Sequence, residues 1–526
     1  MAAIAVLCAL PSIAAAAVPG LVSVSPNGIQ TFHFAAGPYT VTPGANLILT
    51  QANKVPKPDE NGFMIRFAPN LHYVLPNGKC CGKIPLTNVV HLHHGVWLSD
   101  GVPGRGEGNG YGPFYPFMAS GEEKTIYSFP AGYGYPVAAT DTWVLNYMLH
   151  NLTNVTKHVY VTYDMEFIPE SSPLAAHITA VHPIWMDVQD HHIYPVFNVL
   201  QHSGVNGKFT YPDMANNPYG SGAPLNEFTV DHPGVLIGTA GHLHPGGLYD
   251  DLDLIRAGAT PDKQAIKGSV PNSVRLFRSS AHYFGHRAPN SWNFAMTATA
   301  PDWRPAVKAG DVLRISATYN TTLGSWYEVM GIMVVWEAYS DTGGVNPFGG
   351  KLNERGHITH GHDPANNFFG GTAYVGTNPY SLPSCHPKEI VIAGFHYSPG
   401  DISSKSDKNQ CVPTIRKGQS LEFVNEDASA QGTFGAGILG TLHPNPFYLA
   451  SIFHTVTSCK SPCTFNYGLA YPIANGPHAF DSGELGAGTP GVGRLTWNTP
   501  KNLPAGTYTF YCRIHPWMRG VFRVIG

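Results

Sequence analysis

The feature that most constrains the fold is a succession of short apolar runs separated by turn-forming residues. Apolar and polar side chains alternate along these runs, as in His158–Phe167, Val312–Tyr319 and Gly506–Cys512. Alternation with a period of two is typical of half-buried β-strands. The 58 glycines and 45 prolines add many turns and disfavour long helices. The sequence therefore predicts an all-β protein built from β-sandwiches.

Charge is sparse along the chain. Only 12% of the 526 residues are Asp, Glu, Lys or Arg, and the net charge is −3, whereas about 25% is usual for a globular domain. A chain with so few cations lacks the basic surface that binds nucleic acid, so we expect no nucleic-acid partner. No apolar run after the N-terminus reaches 18 residues, and we expect no membrane span in the mature protein.

The N-terminus has the features of an export signal. Residues 1–18 carry no charge and end in a run of small residues. This pattern is typical of a secretory signal peptide, here with cleavage near Ala17. We therefore expect a secreted or periplasmic protein.

Cysteines are the second indication of an oxidising compartment. Cys8 lies in the signal, and seven others remain, so an odd thiol is expected. Cys512 is the candidate for that thiol. We expect the pairs Cys459–Cys463 and Cys385–Cys411, whereas the state of the adjacent Cys80 and Cys81 stays open.

Breaks in composition divide the chain. A segment rich in Gly, Asn, Pro and Ser at 341–385 is typical of a linker, and a weaker break lies near 187–205. We predict units at 19–190, 191–340 and 386–526.

The C-terminal unit contains a pattern of soft metal ligands. A β-like run delivers Cys512, and His515 and Met518 follow at intervals of three residues. A thiolate, an imidazole and a thioether suit copper, and a second histidine completes a trigonal His₂Cys set with a weak axial Met. His454 stands at the start of an upstream strand and is our choice, with His443 and His478 as alternatives.

These residues resemble the cupredoxins, in particular amicyanin-like and plastocyanin-like domains. The resemblance covers about 140 residues and includes a run at 389–397 and the HTVTS and FDSG segments. It implies a Greek-key β-sandwich with a type 1 copper for electron transfer. It also implies His454, Cys512, His515 and Met518 as the ligands.

Histidines are concentrated in the first unit. His91, His93 and His94 occur within four positions, and His150 lies near the end of another predicted strand. In a strand, His91 and His93 share a face, whereas His94 points to the opposite face unless a β-bulge intervenes.

The second unit has its own ligand pattern. His242 and His244 form an H-x-H pair that places two imidazoles on one face of a strand. Met330 follows downstream, with Met333 as an alternative.

In order along the chain, this HH…H…HxH…M pattern resembles the copper type II, ascorbate-dependent monooxygenases, represented by peptidylglycine α-hydroxylating monooxygenase. The resemblance implies two jelly-roll domains with one copper each. It assigns the electron-transfer copper to His93, His94 and His150, with His91 as a competing ligand. It assigns the catalytic copper, which activates dioxygen, to His242, His244 and Met330.

Together the two resemblances predict a copper-dependent oxidoreductase of the monooxygenase type. Its partners would be a small-molecule substrate and dioxygen, and electrons would arrive through the type 1 copper from ascorbate or a redox partner protein. The alternative is a non-catalytic copper-binding protein that transfers electrons.

Overall fold

The computed structural model describes most of the chain after the predicted signal peptide. It describes residues 19–51, 55–102, 105–106, 113–189, 196–213, 224–259, 272–284, 289, 291–339, 342–362, 377–403, 410–427, 453–459, 479–486 and 495–526. The predicted signal peptide, with Cys8, lies outside these residues, as do Cys463 and the alternative ligands His443 and His478.

Within these ranges the chain forms β-strands and two short 3₁₀ turns, Pro173–His177 and Pro379–Ser381, and no α-helix. This architecture confirms the prediction of an all-β sandwich protein. None of the described residues forms a helix that is long and apolar enough to cross a membrane.

Twelve strands precede residue 181. They are β1 (Leu21–Val24), β2 (Gln30–Val41), β3 (Asn46–Gln51), β4 (Gly62–Tyr73), β5 (Val90–Ser99), β6 (Arg105–Gly106), β7 (Tyr115–Gly121), β8 (Tyr127–Ser128), β9 (Tyr133–Val137), β10 (Trp143–Asn151), β11 (Lys157–Pro169) and β12 (Thr179–Ala180). Most belong to two sheets, one in the order β1-β2-β11-β4-β9-β12 and one in the order β3-β10-β5-β7. Trp97 of the second sheet packs against Phe67 and Tyr163 of the first, so the two sheets form a sandwich.

The middle of the chain adds thirteen strands. They are β13 (His182–Asp187), β14 (Phe197–Val199), β15 (Lys208–Tyr211), β16 (Glu227–Thr229), β17 (Gly234–Leu243), β18 (Gly247–Ile255), β19 (Ser273–Tyr283), β20 (Phe294–Thr299), β21 (Ala306–Val307), β22 (Val312–Asn320), β23 (Trp326–Val329), β24 (Gly331–Ala338) and β25 (Gly356–Ile358). The main sheet runs β15-β22-β18-β19-β20-β17-β24-β13-β6. Strand β13 precedes the predicted boundary at 190 yet pairs with β24, and β25 lies within the predicted linker yet pairs with β20.

Strand β24 is buried on both faces and joins two cores. Ile332, Val334 and Trp336 belong to the core of the first sandwich. Met333 and Val335 belong to the core of the second unit. A continuous apolar run is typical of a strand covered on both sides, and here it packs the first two units against each other.

Nine strands complete the C-terminal unit. They are β26 (Ser384–Cys385), β27 (Glu389–Ala393), β28 (His396–Ser398), β29 (Val412–Arg416), β30 (Glu422–Asn425), β31 (Thr457–Cys459), β32 (Thr496–Asn498), β33 (Gly506–Tyr511) and β34 (Arg519–Ile525). Two sheets, β26-β29-β34-β33-β31 and β28-β27-β30-β32, enclose one core. That core also includes Leu152, Trp292 and Tyr327 of the first two units.

The described cysteines agree with the predicted thiol pattern. Cys385 is joined to Cys411, as predicted, and the adjacent Cys80 and Cys81 are also joined to each other. Cys512 is free and buried.

Candidate metal centres

The first candidate centre lies in the C-terminal unit, next to the end of β33. Cys512 follows β33 directly, and His515 and Met518 lie in the turn that leads into β34. The N–H of Cys512 donates to the carbonyl of Met518 (3.1 Å), and the N–H of Met518 donates to that of His515 (2.9 Å). His454 enters from the segment before β31. We call His454, Cys512, His515 and Met518 the cysteine site.

The ligand atoms of the cysteine site are already close together. The Sγ of Cys512 is 3.7 Å from the Nδ1 of His454 and 3.7 Å from the Nδ1 of His515. The two Nδ1 atoms are 3.1 Å apart. An ion bound at ordinary lengths of about 2.0–2.3 Å in a trigonal plane would hold such atoms about 3.5–3.8 Å apart. The two Sγ–Nδ1 distances match this geometry, and the shorter Nδ1–Nδ1 distance corresponds to an N–metal–N angle of about 100° rather than about 120°. Met518 is fully buried in the same core and would supply the weak thioether ligand.

Outer contacts orient both imidazoles of the cysteine site. The Nε2 of His454 is 2.9 Å from a carboxylate oxygen of Asp427, and the Nε2 of His515 is 3.2 Å from the carbonyl oxygen of Gly44 in the first unit. A hydrogen bond at Nε2 leaves Nδ1 for a metal, which is the usual arrangement around a ligating histidine. The N–H groups of Thr455 and His515 donate to the Cys512 sulfur at 3.4 and 3.3 Å, which fixes the position of that sulfur.

The two imidazoles of the cysteine site differ in pKa. Burial lowers the pKa of His515 well below 6.5. Burial also acts to lower the pKa of His454, but hydrogen bonds to Asp427 and Cys512 outweigh it and raise that pKa. Burial would raise the pKa of Asp427, but hydrogen bonds from His454 and from the backbone N–H groups of Phe395 and Gly394 keep it below its usual range.

The second candidate centre begins with a β-bulge in β5. Met148 of β10 pairs with His94, and the next residue, Leu149, pairs with Leu92, so His93 is the extra residue. On sequence alone, His94 is expected to point away from His91 and His93 unless such a bulge is present. A bulge interrupts the alternation of side chains along a strand. As a result, the His93 ring contacts both His91 and His94, with centroids 5.8 Å apart in each case.

His150 joins this group from the neighbouring strand. It lies directly opposite His91 in the β10–β5 pair, and opposite residues of an antiparallel pair share a face. The ring centroids of His150 and His91 are 5.2 Å apart, and those of His150 and His93 are 6.0 Å apart. The indole of Trp292 covers the His91 ring at 4.4 Å.

His242 and His244 reach the same place from the second unit. The His244 ring is 4.4 Å from that of His93 and 5.3 Å from that of His242. The Nδ1 of His242 is 3.0 Å from a carboxylate oxygen of Glu123. We call His91, His93, His94, His150, His242 and His244 the histidine cluster, and all six are at most 6% exposed.

Burial keeps five of the six cluster imidazoles neutral. It lowers the pKa of both His91 and His94 to about 3 and that of His93, His150 and His244 well below 6.5. A neutral imidazole is the form that binds a metal. The Nε2 atoms of His91 and His242 are buried without a hydrogen-bond partner. An orphaned buried nitrogen of this kind fits a missing cation.

The two methionine alternatives lie on different faces of the sheet. Met330 is 2% exposed and belongs to the core shared with the first sandwich. His242 pairs with Ile332, which belongs to the same core. Met333 faces the core of the second unit. This arrangement favours Met330 over Met333 as the residue on the histidine side.

The two centres are in direct contact. The Nε2 of His150 is 3.2 Å from the carbonyl oxygen of Ile514, which lies between Cys512 and His515 in the chain. Nearby, the Arg513 guanidinium bonds to Asp481 (2.9 Å) and to the carbonyl of Ser325 (2.6 Å). One hydrogen bond therefore connects the turn of the cysteine site to the histidine cluster.

Sequence reasoning missed the residues that support these ligands. Glu123, Asp427, Trp292 and the carbonyl of Gly44 are all far along the chain from the groups that they contact. A carboxylate near a ligating histidine is a common arrangement, but no local spacing marks it.

Comparisons with known proteins give limited matches. No protein-family model matches the chain, and no curated protein matches it. Among solved structures, a variant of amicyanin in its Cu(I) form shares 14% identity over 30% of this chain and 98% of its own, with a TM-score of 0.14. A Cu-containing nitrite reductase from Thermus scotoductus shares 15% identity over 56% of this chain and 59% of its own, with a TM-score of 0.16. Similarity this low carries no functional argument, so the interpretation of both centres rests on their own geometry.

Proposed function

We propose that this protein is a copper-dependent oxidoreductase, in which the cysteine site exchanges electrons with copper held by the histidine cluster. The observation that carries this proposal is the contact of 3.2 Å between the Nε2 of His150 and the carbonyl of Ile514. Copper bound at both places would supply one-electron redox chemistry. Ile514 is two residues from Cys512, so the connection between the centres consists of a short piece of backbone and one hydrogen bond.

The donor set supports a type 1 copper at the cysteine site. Thiolate, imidazole and thioether ligands select copper, and a long axial Met is typical of sites that transfer electrons. The contacts from Asp427 and Gly44 hold the two imidazoles in place, and buried surroundings limit rearrangement when the charge changes. His515 is only 2% exposed, and its Nε2 is 3.2 Å from the carbonyl oxygen of Gly44 in the first unit.

The spacing of the rings supports more than one ion at the histidine cluster. Two imidazoles that bind one ion at about 2.0 Å have ring centroids about 4.5–5.5 Å apart. The distances between His91 and His150 and between His242 and His244 are 5.2 and 5.3 Å. Six imidazoles exceed the four positions of one tetrahedral ion. We therefore propose two adjacent copper positions, one on each side of the contact between His93 and His244.

The finer proposal is a monooxygenase that acts on a small-molecule substrate with dioxygen. In that case His242, His244 and Met330 form the catalytic set, and His93, His94 and His150 form the electron-transfer set. The His93 ring is 5.8 Å from that of His94 and 6.0 Å from that of His150, whereas the competing ligand His91 is 5.2 Å from His150. A small cavity borders the cluster at His91 and is also lined by Glu122, Lys124, Thr87 and Asn70. The electron donor would be ascorbate or a redox partner protein, and the protein would act in a secreted or periplasmic location.

The test uses the Cys512→Ser variant, loaded with copper and mixed with a cupredoxin-type protein donor without oxygen. We expect the blue absorption to disappear and the cluster copper to be reduced at least about 100-fold more slowly than in the unchanged protein. The His158→Ala variant, at an exposed histidine, is the control. Unchanged reduction of the cluster in Cys512→Ser contradicts the proposal.

One observation favours the alternative, a non-catalytic protein that transfers electrons. All six cluster imidazoles are nearly inaccessible to solvent, as suits a closed electron-transfer centre. Oxygen uptake separates the two functions. Uptake that depends on both reductant and substrate supports the oxygenase, whereas reversible reduction with no uptake supports the carrier.

A further inference from the structure

A second group of soft ligands lies in the first unit, on a different sheet from the histidine cluster. Among the described residues, His33, Cys80 and Cys81 are one of two groups of at least three His, Cys, Asp or Glu residues whose ligand atoms all lie within 4.8 Å of one another. The other group contains three residues of the cysteine site. His33 lies in β2, and the two cysteines lie in the loop after β4.

The loop holds the cysteine pair in a fixed position. The N–H of Tyr73 donates to the carbonyl of Lys83 (2.9 Å), and the N–H of Gly82 donates to that of Tyr73 (2.7 Å). At the tip, the hydroxyl of Tyr160 donates to the carbonyl of Gly78 (2.9 Å). These bonds close the loop on both sides of Cys80 and Cys81, so the sulfur atoms stay beside His33.

The His33 imidazole contacts the Cys81 sulfur with one ring nitrogen and the Asp164 carboxylate with the other. The Nε2 of His33 is 3.3 Å from the Sγ of Cys81, and its Nδ1 is 2.6 Å from a carboxylate oxygen of Asp164. Asp164 lies directly opposite His33 in the β11–β2 pair, so the sheet register fixes this contact. In metal sites, a carboxylate that hydrogen-bonds to the ring nitrogen not bound to the metal orients the ligating histidine.

The cysteine pair is open to solvent and has basic neighbours in the sequence. Lys79 and Lys83 flank the pair in the sequence, and both are exposed. Cys80, Cys81 and His33 are each partly exposed, so a reductant or an ion can reach them from solvent.

We propose that Cys80, Cys81 and His33 form a redox-controlled site for a soft monovalent cation, Cu(I), separate from the two centres above and independent of the proposed function. A dithiol gives two electrons and two protons to the Cys80–Cys81 disulfide. The S–S bond breaks, two thiols form, and the donor becomes a disulfide. Binding of the cation releases both thiol protons, and two thiolates with the His33 imidazole form a set suited to Cu(I).

The test is a Cu(I) titration of the full chain without oxygen, in competition with bicinchoninate, before and after treatment with dithiothreitol and its removal. We expect reduction to add one equivalent of tightly bound Cu(I). The Cys80→Ser/Cys81→Ser variant should lose this added equivalent, and Cys385→Ser/Cys411→Ser, which removes the other described disulfide, should keep it. Asp164→Asn retains both cysteines and should weaken the added site about 10–100-fold.

Two results would overturn the proposal. One is the same Cu(I) uptake before and after reduction. The other is an added equivalent that persists in Cys80→Ser/Cys81→Ser, since other thiols then bind the ion. Neither result bears on the cysteine site or the histidine cluster, whose ligands are unchanged in these variants.

Discussion

The cysteine site and the histidine cluster are built in different ways. Three ligands of the cysteine site come from one seven-residue turn, 512–518, and its Cys and His ligand atoms already lie within 4.8 Å of one another. The histidine cluster takes its imidazoles from β5, β10 and the end of β17, which belong to two packed units. Its rings are in contact, but the ligand atoms do not form such a compact group. The first centre is thus formed by local structure, and the second by packing between units.

This difference predicts different sensitivities. The cysteine site should keep its metal when the contact between the first two units is disturbed, whereas the cluster should not.

Removing one shared imidazole should empty part of the cluster. We expect His244→Ala to lower the copper content by at least one equivalent and to leave the blue absorption of the cysteine site intact, because the His244 ring packs against the rings of His93 and His242. Metal analysis with absorption spectra makes the measurement, with His158→Ala as the control. A loss of blue absorption in His244→Ala, or no loss of copper, would count against two separate centres.

Acid should destabilise the metal-free protein through the cluster. An imidazole whose folded pKa lies below its unfolded value of about 6.5 binds protons more readily in the unfolded chain. Stability is therefore full above pH 6.5 and decreases as the pH falls toward the folded pKa, about 3 for His91. Each such imidazole contributes up to ~1.4 kcal/mol per pH unit in that window.

Urea unfolding of the metal-free protein between pH 7 and 5 provides the measurement. The midpoint should fall with pH, and His91→Phe should reduce the slope. His454 works in the opposite direction, because its raised pKa adds stability that is lost as the pH rises above 6.5. A slope that is the same in His91→Phe would show that the cluster does not determine acid sensitivity.

The supporting carboxylates should act on one centre each. Asp427→Asn should weaken copper binding at the cysteine site about 10–100-fold, and Glu123→Gln should do the same at the cluster. Competition with a chelator, followed by absorption for one centre and EPR for the other, measures both. The exposed neighbour Glu426 provides the control variant Glu426→Gln. Equal weakening at both centres from either change would contradict their independence.

The last comparison concerns the contact between Gly44 and His515. A Cβ on Gly44 would lie 2.7 Å from Phe395 and 2.8 Å from the His515 ring, and the residue has φ +67°. Gly418 has φ +90° with no atom within 4 Å of its Cβ. Gly44→Ala should therefore cost about 1–3 kcal/mol more than Gly418→Ala in the free energy of unfolding, because only the former is overpacked. Equal losses of unfolding free energy in the two variants would mean that the contact between Gly44 and His515 accommodates an added methyl group without cost.

The sequence was most informative where structure is local. Alternation predicted the all-β architecture, and the Cys512–Met518 spacing predicted ligands that the fold does bring together with His454. The two jelly-roll sites, the unit boundaries and the roles of the cluster histidines stay predictions. Strand periodicity could not predict which face of β5 the His94 side chain points to, because the bulge depends on the register of β5 with β10. The close approach of His93 and His244 depends on how two units pack, and no spacing within either unit encodes it.

Copper stoichiometry with quantitative EPR and absorption of the purified full-length protein distinguishes two copper centres from one. We predict one blue type 1 copper, lost in Cys512→Ser, and about two further coppers, lost in variants of the histidine cluster. A single blue copper with nothing bound at the cluster would contradict the two-centre account, as would a protein without blue absorption.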